Sequence, residues 1–518
     1  MTKNIKKGIV RLNGGTLIGN AIDANGVVSF KGVRYAMPPV GDFRWKAPQP
    51  VKAWKGEVIA KQFGYKSWQS PIFGGKVVTE GVSEDCLFLN IWVSPNRGHA
   101  QPVMVFIHGG GFNYGCSSDP DKDGTSLAKK GVVVVTINYR LGIFGFLSHP
   151  WLDKESNEGG SGMYGILDQI HALKWIKDNI VLFGGDPNNV TIFGESAGAH
   201  SVGILMASPL ARGLFHKAIG QSGAFWESEN GVIPSKLQAQ TIGKSLSEKL
   251  GAKTLSDLRI LEPDILQDMT NWTLQTDPSV SNFSPSLDGY VLPNAPYLQF
   301  QHGLQSHIPL LVGWNGDEGE MFMSRAVPHS SSAEFSKFAS KIFGVENMSE
   351  FSRLYPHTTD TDTLRSAQLL CGDQVISFQT WSWANVHRAT GGVPVFVYHF
   401  NPVTPYTPKP LHTYDVPYVF GNLISRNDGR QPNTEDWELS EVMQDYWTNF
   451  AKTSNPNSHT LPFWPLYQGA GSQVMRFAQT IEAGNEEGTE RFEFLNTFRD
   501  INGLLTMGKS PVSKLYEK

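Results

Sequence analysis

One stretch constrains this chain more than any other. Residues 190–193, a short β-branched and aromatic run, lead without a linker into Gly194-Glu195-Ser196-Ala197-Gly198, and a helix-compatible segment, residues 197–206, follows at once. A strand that turns into a helix over so few residues forces the central serine into strained backbone angles. That leaves no room for side chains two residues to either side, hence the glycines, and it lifts the serine hydroxyl above the strand end. The bare pattern GxSxG is weak, since a chain with 53 glycines meets it by chance about 0.4 times. Its flanks carry the meaning.

Other runs give that strand its neighbours. Residues 87–93, 103–107 and 132–137 are short, apolar and bounded by Gly, Pro or Asn, which predicts buried strands. Between the third of these and residues 190–193, Ile166, Ile170, Leu173, Ile176 and Ile180 recur at steps of four and three, an amphipathic helix. Strand, helix, strand implies a parallel sheet and an α/β fold. Residues 308–313 and 395–400 extend the strand list, and Pro394 places the last at a sheet edge or at its own beginning. The stretch between them reads as helical and polar, as does 230–300, where 237–250 predicts a helix stopped by Gly251. Residues 401–410, with four prolines, and 484–490, acidic and glycine-bearing, read as loops.

Composition excludes several classes. With 44 basic and 48 acidic residues, a formal charge of -4 and no block of like charge, nothing points to nucleic acid or an anionic membrane as a partner. Three cysteines, Cys86, Cys116 and Cys371, make no disulfide framework and no zinc-site spacing. The lysine-bearing amino terminus is not followed by the apolar stretch of a signal peptide, and no apolar run approaches the ~20 residues of a membrane span. The expectation is a soluble, cytoplasmic protein.

A serine hydroxyl is a poor nucleophile at neutral pH, so Ser196 needs a base and a site for the charge that develops on the attacked carbonyl. His108-Gly109-Gly110-Gly111-Phe112, directly after residues 103–107, offers the second. Three glycines in a row let backbone N–H groups approach a ligand oxygen, and Gly110, Gly111 and the amide of Ala197 are the candidate oxyanion hole. A flexible strand-exit loop is the alternative reading of that run.

GESAG with HGGGF, the segment Ser83-Glu84-Asp85-Cys86-Leu87-Phe88-Leu89-Asn90, the early Phe30-Lys31-Gly32-Val33-Arg34-Tyr35-Ala36-Met37-Pro38-Pro39-Val40-Gly41 and the block FGGDPNNVTIFGESAG together resemble the type-B carboxylesterases, the cholinesterase-like branch of the α/β-hydrolases. The resemblance implies an α/β-hydrolase fold: a mixed, mostly parallel central sheet flanked by helices, with helical insertions capping the site. It implies one domain over residues 1–518 with insertions around 230–300 and 320–390. Gly313-Trp314-Asn315-Gly316-Asp317-Glu318-Gly319 resembles the family's acid loop, which makes Glu318 the acid and Asp317 its rival. From the residues alone, two adjacent carboxylates after a strand are equally a solvated turn. His412, before Asp415-Val416-Pro417-Tyr418-Val419-Phe420-Gly421, resembles the family's histidine, whereas His399 lies inside an apolar strand and reads as a packed residue. Glu195 and Ser222 stand where the family keeps supporting polar groups.

The implied chemistry is serine ester hydrolysis through an acyl-enzyme, with no metal or organic cofactor. Its substrate would be a small-molecule ester, of short to medium chain or aryl. Phe112, Tyr114, Phe225, Trp226, Trp314, Met321 and Phe322 cluster in sequence near the motifs and would line an apolar gorge or simply pack the core. The GGG form of the oxyanion loop resembles that of esterases tolerant of tertiary alcohols. Two other classes remain: a catalytically silent cholinesterase-like binding protein, and a long-chain lipase, whose apolar lid the polar 230–300 segment does not resemble. Secreted relatives pair the EDCL cysteine with one upstream, but no cysteine precedes Cys86, so that bridge is impossible; a Cys86 to Cys116 bridge is open to the sequence, though the missing signal-peptide stretch argues against it.

Overall fold

The computed structural model describes residues 2–69, 79–97, 100–223, 233–270, 283–322, 327–426 and 428–498. Among these lie thirteen strands: β1 (Ile9–Leu12), β2 (Gly15–Ile18), β3 (Val28–Arg34), β4 (Glu57–Ile59), β5 (Phe88–Val93), β6 (Gln101–Ile107), β7 (Val133–Ile137), β8 (Gly185–Glu195), β9 (Lys217–Gln221), β10 (Leu310–Asn315), β11 (Val395–Phe400), β12 (Gln473–Phe477) and β13 (Ile481–Asn485). Three form a small sheet, and ten form the central sheet in the order β13-β12-β11-β10-β9-β8-β6-β7-β5-β3. From β7 to β12 every neighbouring pair in that order is parallel, while β3, β5 and β13 join antiparallel at the edges.

This is the mixed, mostly parallel sheet of an α/β-hydrolase fold, and its parallel strands β6, β7, β10 and β11 are largely apolar because helices cover both faces. Val103, Val105 and Ile107 of β6 pack into one core with the helices Tyr164–Asn179, Ala197–Ala207 and Phe378–Gly391. Met104 and Phe106 point the other way, into a second core closed by Leu439, Met443, Tyr446, Trp447 and Phe450 of the helix Thr434–Thr453.

The order reverses at β6, which lies between β7 and β8. Loops leaving the carboxyl ends of strands on either side of such a reversal diverge and leave a crevice. His108 and Ser196 leave β6 and β8 at that place, with Ile107 in register with Gly194.

The strands expected at 87–93, 103–107, 132–137, 190–193, 308–313 and 395–400 are present with ends shifted by a few residues, the fourth running back to Gly185. Pro394 stands just before β11, which is an interior strand, so the proline marks a beginning and not an edge. β3, β9, β12 and β13 were not legible as strands. β9 is short, opens on a lysine and carries a glycine, and the span expected as a loop at 484–490 gives its first two residues to β13 and its last two to the helix Thr489–Asn496. The helix expected at 237–250 is Lys236–Lys249, entered through a capping box of Ser235 and Gln238. Between β10 and β11 the helices Asp360–Gly372 and Phe378–Gly391 are joined by a π-helical turn, Asp373–Ser377, and the last turns of the first helix abut the acid loop: a Cβ on Gly319 would overlap Gln368 O. Proline-rich 401–410 holds no helix or strand.

Candidate active site

Ser196 stands between β8 and the helix Ala197–Ala207 at φ 55° and ψ -123°, a left-handed backbone that a serine adopts only under constraint. Its N–H donates to Gln221 O at 2.9 Å. Ser196 is partly exposed, whereas residues 191–195 and 197–206 are buried. Close approach dictates the flanking glycine: a Cβ on Gly198 would overlap Ile107 O. The glycine loop presses on the same turn, since a Cβ on Gly109 would stand 2.6 Å from Glu195 O and 3.0 Å from Ser196 Cβ.

Beyond it, Gly110 O accepts from the N–H groups of Asn113 and Tyr114 at 3.1 and 3.0 Å, and Gly111 O from Asn113 Nδ2 at 2.8 Å. With those carbonyls tied back, the N–H groups of Gly110, Gly111 and Ala197 donate to no acceptor among the described residues. Ala197 also opens a helix, whose first N–H groups and dipole favour negative charge.

Glu318 and His412 meet over the ends of β9 and β10. His412 Nδ1 donates to Glu318 Oε2 at 2.6 Å, and Glu318 Oε1 accepts from Ser222 Oγ and from the Asn315 N–H, each at 2.6 Å. The carboxylate is thereby held on both oxygens. Asp317 faces elsewhere, accepting the Glu320 N–H at 3.3 Å and donating its own N–H to Pro410 O at 3.0 Å. With Nδ1 engaged, Nε2 of a neutral His412 carries the lone pair. Nε2 makes no hydrogen bond to a described residue and lies 3.3 Å from Glu195 Oε1.

Burial is what shapes the charges here. It pushes the Glu195 carboxyl up to about 8, helped by Asp415 and Glu318 and opposed by His412. Burial works to lower His412, but the carboxylates of Glu195, Glu318 and Asp415 outweigh it and raise the imidazole to about 9. The rise of His412 and the rise of Glu195 compete, since a protonated Glu195 no longer attracts the imidazolium. The lift that persists in either state comes from Glu318. His108, stacked on Tyr139 with ring centres 4.5 Å apart, is lowered to about 4 by burial and is neutral.

The other sequence candidates separate. His399 is buried beside Trp314, 3.5 Å from Glu487, as a packed strand residue. Trp314 is itself core, against Phe492. Phe322 sets its ring edge-on to His412 at 5.1 Å, Met321 is exposed, Tyr114 is half-buried and Phe112 is buried against Phe146. Phe225 and Trp226 lie outside the described residues. The three cysteines are free, so the pairing of Cys86 with Cys116 is absent.

Sequence reasoning passed over a polar layer beneath the site. Asp415 Oδ2 accepts from Gln221 Nε2 at 2.8 Å and from Tyr398 OH at 2.6 Å, and Asn315 Nδ2 donates to Leu411 O at 2.7 Å. The available signal was a polar residue closing an apolar strand, as Gln221 closes β9 and Asn315 closes β10. Strain gathers here as well: of the seven non-glycine residues with positive φ among those described, Phe112, Ser196, Ser222 and Thr413 belong to these loops.

A strained serine on a strand-to-helix turn at a topological switch point, a glycine loop beside it and a histidine bonded to a carboxylate invite comparison with known proteins. The carboxylesterase family profile matches residues 6–495. This chain belongs to the carboxylesterase family. It is 36% identical over 470 residues to a fumonisin B1 esterase of Sphingopyxis macrogoltabida, covering 89% of this chain and 85% of that protein. It is 35% identical over 485 residues to a para-nitrobenzyl esterase of Bacillus subtilis (strain 168), covering 90% and 94%. Among solved structures, a PNB esterase superposes with a TM-score of 0.79 at 33% identity over 94% of this chain and 99% of its own, and a carboxylesterase of Geobacillus stearothermophilus with 0.79 at 33% over 93% and 99%. Membership makes the chain a carboxylic ester hydrolase. Among the described residues no helix is long and apolar enough to cross a membrane, and no group of His, Cys, Asp and Glu could hold a metal ion.

Proposed function

We propose that this carboxylesterase hydrolyses short- to medium-chain and aryl esters with Ser196 as nucleophile, His412 as base and Glu318 as the acid that orients it. The observation that carries the reading is the pair of 2.6 Å contacts on Glu318, from His412 on one oxygen and from Ser222 on the other. His412 takes the Ser196 proton as the hydroxyl attacks the ester carbonyl, and the oxyanion is held by the N–H groups of Gly110, Gly111 and Ala197. The alcohol leaves with the proton from His412. A water activated by the same imidazole then hydrolyses the acyl-enzyme. Ser222 and Glu195 support the acid and the base.

The phenyl ring of Phe322 against His412 supports an apolar leaving-group side, and relatives named for a p-nitrobenzyl ester and for fumonisin B1 support a tolerant one. The GGG form of the oxyanion loop, Gly109-Gly110-Gly111, resembles that of esterases tolerant of tertiary alcohols, and the resemblance implies the same tolerance here. Three buried, unpaired cysteines support a reducing, cytoplasmic setting.

The test is hydrolysis of p-nitrophenyl esters from acetate to palmitate by wild type and Ser196→Ala, with and without an organophosphate. Turnover that favours the shorter esters and is lost with Ser196→Ala and with the inhibitor is the expected result. Equal, negligible rates from folded wild type and mutant would sink it.

A further inference from the structure

The two loops that carry Glu318 and His412 are separate in sequence and need something to hold them in register. Asn315, the last residue of β10, is buried and touches both. Its backbone N–H donates to Glu318 Oε1 at 2.6 Å, while its side-chain Nδ2 donates to the carbonyl of Leu411, the residue before His412, at 2.7 Å. The same Nδ2 stands 3.5 Å from Asp415 Oδ1 on the far side of the histidine. One residue therefore grips the acid through its backbone and brackets the base through its amide.

We propose that Asn315 is a positioning residue for ester hydrolysis, its side-chain amide locking the His412 loop onto the strand end that holds Glu318; this rests on the assignment of Ser196, Glu318 and His412 above. The orientation of the amide is dictated by its surroundings. Turned over, it would set Oδ1 against the Leu411 carbonyl and the Asp415 carboxyl, which repel it. Oδ1 instead lies buried with no hydrogen-bond partner among the described residues, a cost accepted to keep Nδ2 on Leu411 O.

The loops meet also along the main chain, where Asp317 pairs with Leu411 and donates its N–H to Pro410 O at 3.0 Å, and through the ion pair of Lys409 with Glu320; to these the amide adds a side-chain anchor on the Leu411 carbonyl. Thr413, at φ 75°, makes the turn at His412 strained and so dependent on its anchors. Without the amide the imidazole would still reach Glu318, but with a loosened Leu411 to set its angle. A displacement of about 1 Å at such a site costs on the order of 100-fold in rate.

The test compares wild type, Asn315→Leu and Asn315→Asp on p-nitrophenyl acetate across about pH 5 to 9, with kcat and KM separated at each pH. Circular dichroism and thermal melting report folding. The ionisable groups facing the amide and the imidazole are Glu318, Asp415, Tyr398 and Glu195.

Asn315→Leu is expected to lose about 10- to 100-fold in kcat with KM within about twofold. The acid limb of its kcat/KM should move to lower pH, because an imidazole held less closely to Glu318 gives up its proton sooner. Asn315→Asp keeps size and shape. Its introduced carboxyl can donate to Leu411 O only when protonated, so activity relative to wild type should be best at the acid end and fall as pH rises. That trend also carries the test should Asn315→Leu fail to fold.

A folded Asn315→Leu with wild-type kcat and an unmoved acid limb would overturn the inference. So would an Asn315→Asp profile parallel to wild type. A wild type that turns over the ester equally well as Ser196→Ala would instead overturn the esterase assignment, and this inference with it.

Discussion

Glu318→Gln would leave the volume of the site unchanged but replace the carboxylate that His412 Nδ1–H addresses at 2.6 Å with a neutral amide, one end of which is a donor. A neutral amide neither stabilises imidazolium nor compels the tautomer with its lone pair on Nε2, so kcat should fall by about 10³- to 10⁴-fold with little change in KM. Steady-state kinetics decide it; a loss below tenfold would return Asp317 to consideration. Glu195→Gln acts with the opposite emphasis. Glu195 contributes to the rise of His412 toward about 9 whenever it is ionised. Removing that charge lowers the imidazole pKa. Because the base must be neutral, the acid limb of kcat/KM should extend to lower pH. A limb that stays in place in the pH profile would show that Glu195 is protonated throughout.

Among elements, one cross-link in the first half is a buried ion pair. Arg140, after β7, meets Asp168 of the helix Tyr164–Asn179 through two side-chain contacts of 2.7 Å and a backbone N–H at 3.1 Å. Both side chains are buried, so breaking the pair strands a charge. Asp168→Leu should cost about 3–5 kcal/mol, visible as a lowered melting temperature, whereas Arg140→Met with Asp168→Leu should recover most of the loss. A double variant no more stable than the single would contradict this account. The helix itself was legible from its apolar repeat. Its partner was not, since an aspartate on a helix surface reads as solvated until tertiary packing covers it.

At the scale of the molecule, the second core reaches the active site from below. Trp447 is fully buried against Tyr398, Trp464 and Phe477, and its indole N–H donates to Gln221 Oε1 at 3.3 Å. Gln221 in turn donates to Asp415, under the His412 loop, at 2.8 Å. Trp447→Ala should therefore cost about 3–5 kcal/mol through the cavity it leaves and also lower kcat where the protein remains folded. Trp447→Phe should keep more of the stability while losing the donor. Thermal melting and assay of the same samples separate the two effects, and an unchanged melting temperature in Trp447→Ala would refute the packing account.

What could be read from the chain was local and steric. The turn around Ser196, the glycine loop after β6 and the apolar runs of the parallel strands announce themselves because the constraint on each residue comes from neighbours a few positions away. Family resemblance added Glu318 and His412, and the structure places the two side by side. Only the tertiary structure decided that Asp317 faces Glu320 while Glu318 faces His412, that His399 packs beside Trp314, and that Asn315 ties Leu411 to the end of β10. It also supplied β9 and β12, whose sequences are too short or too polar to read as buried strands until neighbours pair with them. The physical reason is separation: the contacts of Glu318 with Ser222 and His412 span 96 and 94 residues, and such pairings exist only once the sheet has brought the strand ends together.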